Sequence, residues 1–115
     1  MNKIKKLFQE SNNDITENTF PVKYIISYDL KGETKDYSEI IEAIKKYKHF
    51  CKPLESVWII ESSKNCFDIF ADLSGHIDDD DKLMVISLGS DAAWTELTPK
   101  GEKWMKNKFP VDIIS

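Results

Sequence analysis

Apolar and polar positions along this chain fall into alternating strand-like and helix-like stretches. Val22–Leu30 is apolar on both faces: Val22, Tyr24, Ile26, Tyr28 and Leu30 take the even positions, and Lys23, Ile25, Ser27 and Asp29 the odd ones. A strand of that kind is covered on both sides and belongs in the middle of a sheet. It delivers Asp29 to the sheet's edge, just before the polar turn Lys31-Gly32-Glu33-Thr34-Lys35. There a metal, a partner or a substrate can reach the carboxylate. Asp36 then predicts the cap of a helix over Tyr37–Lys48, with Glu39 three residues later completing a capping box. Tyr37, Ile40, Ile41, Ile44 and Tyr47 make its apolar stripe.

Pro53 opens the next predicted strand, Leu54–Ser62, in which Val57-Trp58-Ile59-Ile60 is apolar on both sides. A helix over Cys66–His76 follows, with Phe67, Phe70, Leu73 and Ile77 on its buried side. Asp78–Asp81 reads as a solvated turn, Lys82–Leu88 as a strand and Ala93–Leu97 as a short edge strand. Thr98-Pro99 is a helix start, with an N-cap hydroxyl before a proline at the first helical position. That helix runs to about Lys108 and presents Trp104, Met105 and Phe109. The apolar tail Val111-Asp112-Ile113-Ile114 has the pattern of an edge strand, within the chain or across a dimer. At the other end Ile4, Leu7 and Phe8 lie on one side of a short helix and Lys3, Lys5 and Lys6 on the other, before a polar linker, Ser11–Thr19. This arm either packs loosely, exchanges onto a partner, or offers its lysines to a polyanion.

Strand, helix, strand, helix, strand is the order of an α/β sandwich. Lys31-Gly32-Glu33 matches neither G-x-G-x-x-G nor a Walker A loop, which argues against a nucleotide-binding doubly wound domain. The expected architecture is therefore a ferredoxin-like βαββαβ two-layer sandwich of the α+β kind. It divides into an N-terminal arm (1–20), a core (21–98) and a C-terminal helix and tail (99–115). One sheet face would stay open in that arrangement, and covering it implies a homodimer.

Composition narrows the partners. With 115 residues, 41% of them apolar and 31% charged, the chain makes one ordinary globular domain. A net charge of −4 counts against a protein that grips nucleic acid over its whole surface, while leaving room for a local basic strip. No apolar run reaches the ~20 residues that span a bilayer. The basic start Met1–Phe8 lacks the apolar stretch of a secretory signal, so the expectation is cytoplasmic, with no membrane partner. Cys51 and Cys66 lack zinc-site spacing and read as reduced structural thiols.

Three segments carry a likeness to a known group. Tyr24–Leu30, Ser56-Val57-Trp58 and Asp81-Lys82-Leu83-Met84-Val85-Ile86 resemble the strands of the second CRISPR-associated adaptation protein family, Cas-two. They are similar also to its stand-alone relatives, the SinR-like proteins and virulence-associated protein D. The resemblance covers about residues 22–88. It implies a ferredoxin-like fold and homodimers formed through the open sheet face. In some members it implies cleavage of RNA or DNA with a divalent metal, and in others a non-catalytic architectural role. Tyr28-Asp29 matches the acid that closes the family's first strand, and Ser56-Val57-Trp58 its Ser-Val-aromatic. Leu54 stands where a Gln is common, and Lys31 and Lys35 alternate with Glu33 and Asp36 where the family's loop is rich in Arg.

The candidate site follows from that likeness. Two Asp29 carboxylates facing each other across a dimer would hold one Mg²⁺, which prefers oxygen ligands and would activate an attacking water. Ser56 would orient a phosphate or the metal's waters. Read without the resemblance, Asp29 caps the following turn and Ser56 is a small hydroxyl under the sheet. Lys31 and Lys35, with Lys100, Lys103, Lys106 and Lys108 on the last helix, would meet nucleic-acid phosphates or simply face solvent. His49 and His76 have no Ser or Cys at a spacing that makes a nucleophile pair. Asp78–Asp81 lacks the ligand spacing of an EF-hand. Two functions compete: a non-catalytic, dimeric binding module, which the acidic composition favours, and a Mg²⁺-dependent endonuclease, which Tyr28-Asp29 favours.

Overall fold

The computed structural model describes residues 17–32 and 36–109, with side chains from Phe20 onward. The arm's Ile4, Leu7 and Phe8, the loop residue Lys35 and the tail Val111–Ile114 lie outside the described residues. The elements are β1 (Glu17–Asp29), α1 (Ser38–Lys45), β2 (His49–Leu54), β3 (Val57–Lys64), α2 (Cys66–Ser74), β4 (Lys82–Leu88) and α3 (Pro99–Lys108). The four strands form one sheet in the order β2-β3-β1-β4, every neighbour antiparallel. From the other edge this reads β4-β1-β3-β2, the ferredoxin-like βαββαβ arrangement expected from the pattern. Among the described residues no helix is long and apolar enough to cross a membrane.

Three expectations about strands change. β1 begins at Glu17, inside the predicted linker Ser11–Thr19, and not at Val22. The single strand Leu54–Ser62 is in fact the turn and second arm of a hairpin: Leu54 pairs with Val57, so Glu55-Ser56 is a two-residue turn. Pro53 lies inside β2, an edge strand whose outer side needs no amide donor. The segment Ala93–Leu97 forms no strand; it crosses the sheet as irregular chain and packs Trp94 and Leu97 onto it.

Caps set the helices. The N-cap of α1 is Tyr37 and not the expected Asp36, which lies one residue earlier and accepts from the Ser38 amide at Oδ1 (2.9 Å). Glu39 does not close a capping box; it lies 3.5 Å from Nδ1 of His76, just past the C-terminal end of α2. Asn65 Oδ1 accepts from the Asp68 amide (2.8 Å) at the start of α2. That helix buries Ile69 and Leu73, with Phe67 and Phe70 only half-buried.

Strand alternation then builds two cores. Tyr24, Ile26, Trp58 and Ile60 point to the face covered by α1 and α2, against Ile40, Ile44, Ile69 and Leu73. Ile25 and Ile59, one residue out of step, point to the opposite face with Cys51, Met105 and Phe109. The face expected to stand open is thus partly covered by the chain's own α3. Thr98 fixes that helix to β2: its amide donates to Pro53 O (3.1 Å) and its hydroxyl to Lys52 O (2.9 Å). Gly101 packs so closely on β2 that a Cβ there would lie 2.6 Å from Pro53 Cα. At the helix's other end Lys108 Nζ reaches Glu61 (2.8 Å), and Lys23 Nζ stands 4.8 Å over the Phe109 ring.

Candidate functional site

β1 carries Asp29 at its last position, and the pairing of β1 with β4 sets Lys82 directly across from it. Asp29 is exposed and, among the described residues, has no hydrogen-bond or ion-pair partner. The turn beyond β1 is tied down by a different carboxylate: Asp81 Oδ1 accepts from the Lys31 amide (2.8 Å) and Oδ2 from the Asp78 amide (2.7 Å). Ser27, Tyr28, Asp29, Lys82, Leu83 and Met84 line a shallow hollow of about 180 Å³ beside it.

Ser56 is not part of that hollow. It sits exposed on the β2–β3 turn and shares no hydrogen bond with Asp29; the β1–β3 register, with Ile26 opposite Trp58, runs toward that turn. The strand behind the turn is fixed instead by Trp58, whose Nε1 donates to the Tyr28 hydroxyl (3.2 Å). Lys31, Lys100 and Lys103 are exposed. The rest of the lysine strip is engaged within the chain: Lys106 pairs with Glu102 (3.1 Å) and Lys108 with Glu61 (2.8 Å).

The margin around Asp29 is apolar in a way the sequence only half announced. Ile86 lies directly opposite Ile25, and Met84 opposite Ser27, on the sheet face that α3 shares. Met84 is 48% and Ile86 46% exposed, on the strand that forms the sheet's edge among the described residues. The alternation of Lys82–Leu88 contained this signal, because both faces of that strand are apolar.

A second concavity went unread in the sequence. Ala43, Lys46, Tyr47, Lys48, Ser62, Lys64, Asp72, Leu73 and His76 line a hollow of about 440 Å³ at the other end of the sheet. Tyr47 Oη and Lys64 Nζ both donate to Asp72 Oδ2, at 2.7 and 2.8 Å. Burial alone would raise the Asp72 pKa, but these two hydrogen bonds and the charges of Lys64 and His76 outweigh it and hold it below its ordinary value. Burial and the neighbouring Asp72 push the Tyr47 phenol far up. These partners are 25 and 8 residues apart in the chain, too far for a local motif.

Neither thiol has the makings of a nucleophile. Burial pushes Cys51 up to about 12, and it raises Cys66 as well, whose Sγ donates to Val85 O (3.0 Å). Oxygens of Asp78, Asp80 and Asp81 approach within 4.8 Å of one another, yet both Asp81 oxygens already hold backbone amides.

No family model, curated protein or solved structure matches this chain.

Proposed function

We propose that this protein is a Cas-two-like, non-catalytic binding module that works as a homodimer, its two copies meeting along β4. The observation that carries this reading is the pair Met84 and Ile86, 48% and 46% exposed side by side on an edge strand. Edge strands that stay monomeric are usually protected by charge, proline or a covering segment. This one offers two large apolar side chains next to half-buried Ile25, which is the character of an interface core. The acidic balance of −4 and the engaged Lys106 and Lys108 favour docking a protein over gripping a polyanion.

The second reading, a Mg²⁺-dependent endonuclease, draws on one observation: Asp29 stands unpartnered on the same margin. A two-fold axis at the Asp29 end of the sheet, not at the centre of β4, would bring a second Asp29 toward it, and two carboxylates with retained waters suit Mg²⁺. Exposed Lys31, Lys100 and Lys103 would then be the residues left to meet nucleic-acid phosphates.

Sedimentation of wild type and Ile86→Lys tests the first reading. The expected result is a wild-type dimer and a folded, monomeric variant. A wild type that sediments as a monomer at every concentration would end it. Incubating RNA and DNA with wild type and Asp29→Asn, with Mg²⁺ or with a chelator, decides the second. Metal-dependent cutting lost in the variant would replace the binding module by the nuclease; no cutting leaves the module standing.

A further inference from the structure

We infer that the 440 Å³ hollow between the end of α1 and α2 is a binding site for a small phosphate monoester. The inference is independent of the β4 margin. Lys64 lies at the end of β3 beside Glu17, whereas Asp29 closes the opposite end of β1.

Charge is the first argument. The chain carries −4 overall, yet Lys46, Lys48, Lys64 and His76 converge on a hollow that, among the described residues, holds one carboxylate, Asp72. That carboxylate is already neutralised by Lys64, and Tyr47 Oη shares its Oδ2. His76 faces Glu39 at 3.5 Å outside the lining. Lys46 and Lys48 have no carboxylate partner among the described residues. One cation near a helix C-terminus is explained by the helix dipole. Here that end is already capped, the Lys46 and Tyr47 amides donating to Ala43 O (3.3 Å) and Ile44 O (3.1 Å). The dipole also gives no reason for Lys64 to stand across the hollow on another element.

Shape is the second argument. A volume of about 440 Å³ falls within the range of small-molecule sites. Ala43, Leu73 and Tyr47 supply apolar walls, so the cations ring a space that also accepts an organic group. Asp72 accepts from both the Tyr47 hydroxyl and Lys64, so it competes with a ligand anion for that ammonium. Phosphate oxygens would take the ammonium groups of Lys46 and Lys48, with charge-assisted hydrogen bonds as the main source of affinity. The hollow is half open but local, which suits a monoester better than a polymer, which needs an extended track.

Calorimetric titration with adenosine 5′-monophosphate, adenosine and a short single-stranded oligonucleotide tests the assignment. The monophosphate should bind saturably and adenosine should not. Lys46→Gln with Lys48→Gln should weaken the monophosphate by about tenfold or more, with the urea midpoint unchanged because both side chains are exposed. Each single substitution repeats the test if the pair fails to fold. Asp72→Asn, which removes the one carboxylate among the described residues lining the hollow and releases Lys64 from it, should bind more tightly. The assignment falls if the monophosphate does not bind, if adenosine binds equally well, or if the lysine substitutions leave affinity untouched. It falls also if Asp72→Asn binds no better, or if the oligonucleotide alone binds.

Discussion

Asp72 receives two donors at one oxygen, the Tyr47 phenol at 2.7 Å and the Lys64 ammonium at 2.8 Å. This geometry favours the ionised carboxylate, and its pKa lies below the ordinary 3.8 despite the opposing effect of burial. A carboxylate with a depressed folded pKa adds stability that is complete above its unfolded pKa and disappears as pH falls through the folded one. Asp72→Asn should therefore lower the urea midpoint at pH 7, and wild type and variant should converge in strong acid. An equal gap at both extremes would mean that Asp72 contributes by shape and not by charge. None of this was legible in the sequence, because the three residues come from different elements. Asp29 was legible, since an acid ending an apolar strand stands out locally. Ser56 was expected on a strand and stands on a turn, because the β2–β3 hairpin was read as one strand.

At the level of elements, α3 shows how local rules and packing can disagree. Thr98-Pro99 marked its start and the helix ends at Lys108, both as the sequence pattern predicts. Gly101, in its first turn, looks like a weakness: alanine would favour the helix by about 1 kcal/mol. Packing reverses that preference. A Cβ at Gly101 would fall 2.6 Å from Pro53 Cα and 2.6 Å from Thr98 Oγ1, one a backbone atom and the other a hydroxyl fixed by its bond to Lys52 O. Gly101→Ala should therefore destabilise the protein by about 1–3 kcal/mol, as overpacked sites do, measured by urea unfolding. A neutral or stabilising result would mean that α3 rides farther from β2 than this. β2 was the element the sequence hid, and the same Pro53 is the reason. A proline between Lys52 and Leu54 looks like the start of a strand, and only an edge position lets it lie within one.

Across the whole molecule, α3 decides whether the second sheet face is a core or a surface. Cys51 reports on this. It is 6% exposed against Met105 and Phe109, and burial pushes its thiol up to about 12, so at neutral pH it has almost no thiolate to react. Lifting α3 away would expose it without opening the other core. The fastening at the helix's far end is Glu61, which holds Lys108 at 2.8 Å and Lys23 at 3.9 Å with little solvent around any of the three. Glu61→Gln would leave two ammonium groups facing a neutral amide, and hydrogen bonds to charged groups are worth about 1.5–3 kcal/mol. Even about 1 kcal/mol of lost docking raises the open population roughly fivefold. Iodoacetamide labelling, read by mass spectrometry of the two cysteine peptides, should show Cys51 modified several times faster in Glu61→Gln. Cys66, held against Val85 O on the α1–α2 side, should keep its wild-type rate. Parallel acceleration of both thiols would mean that the two faces open together, and that α3 belongs to one indivisible core with the rest of the sheet.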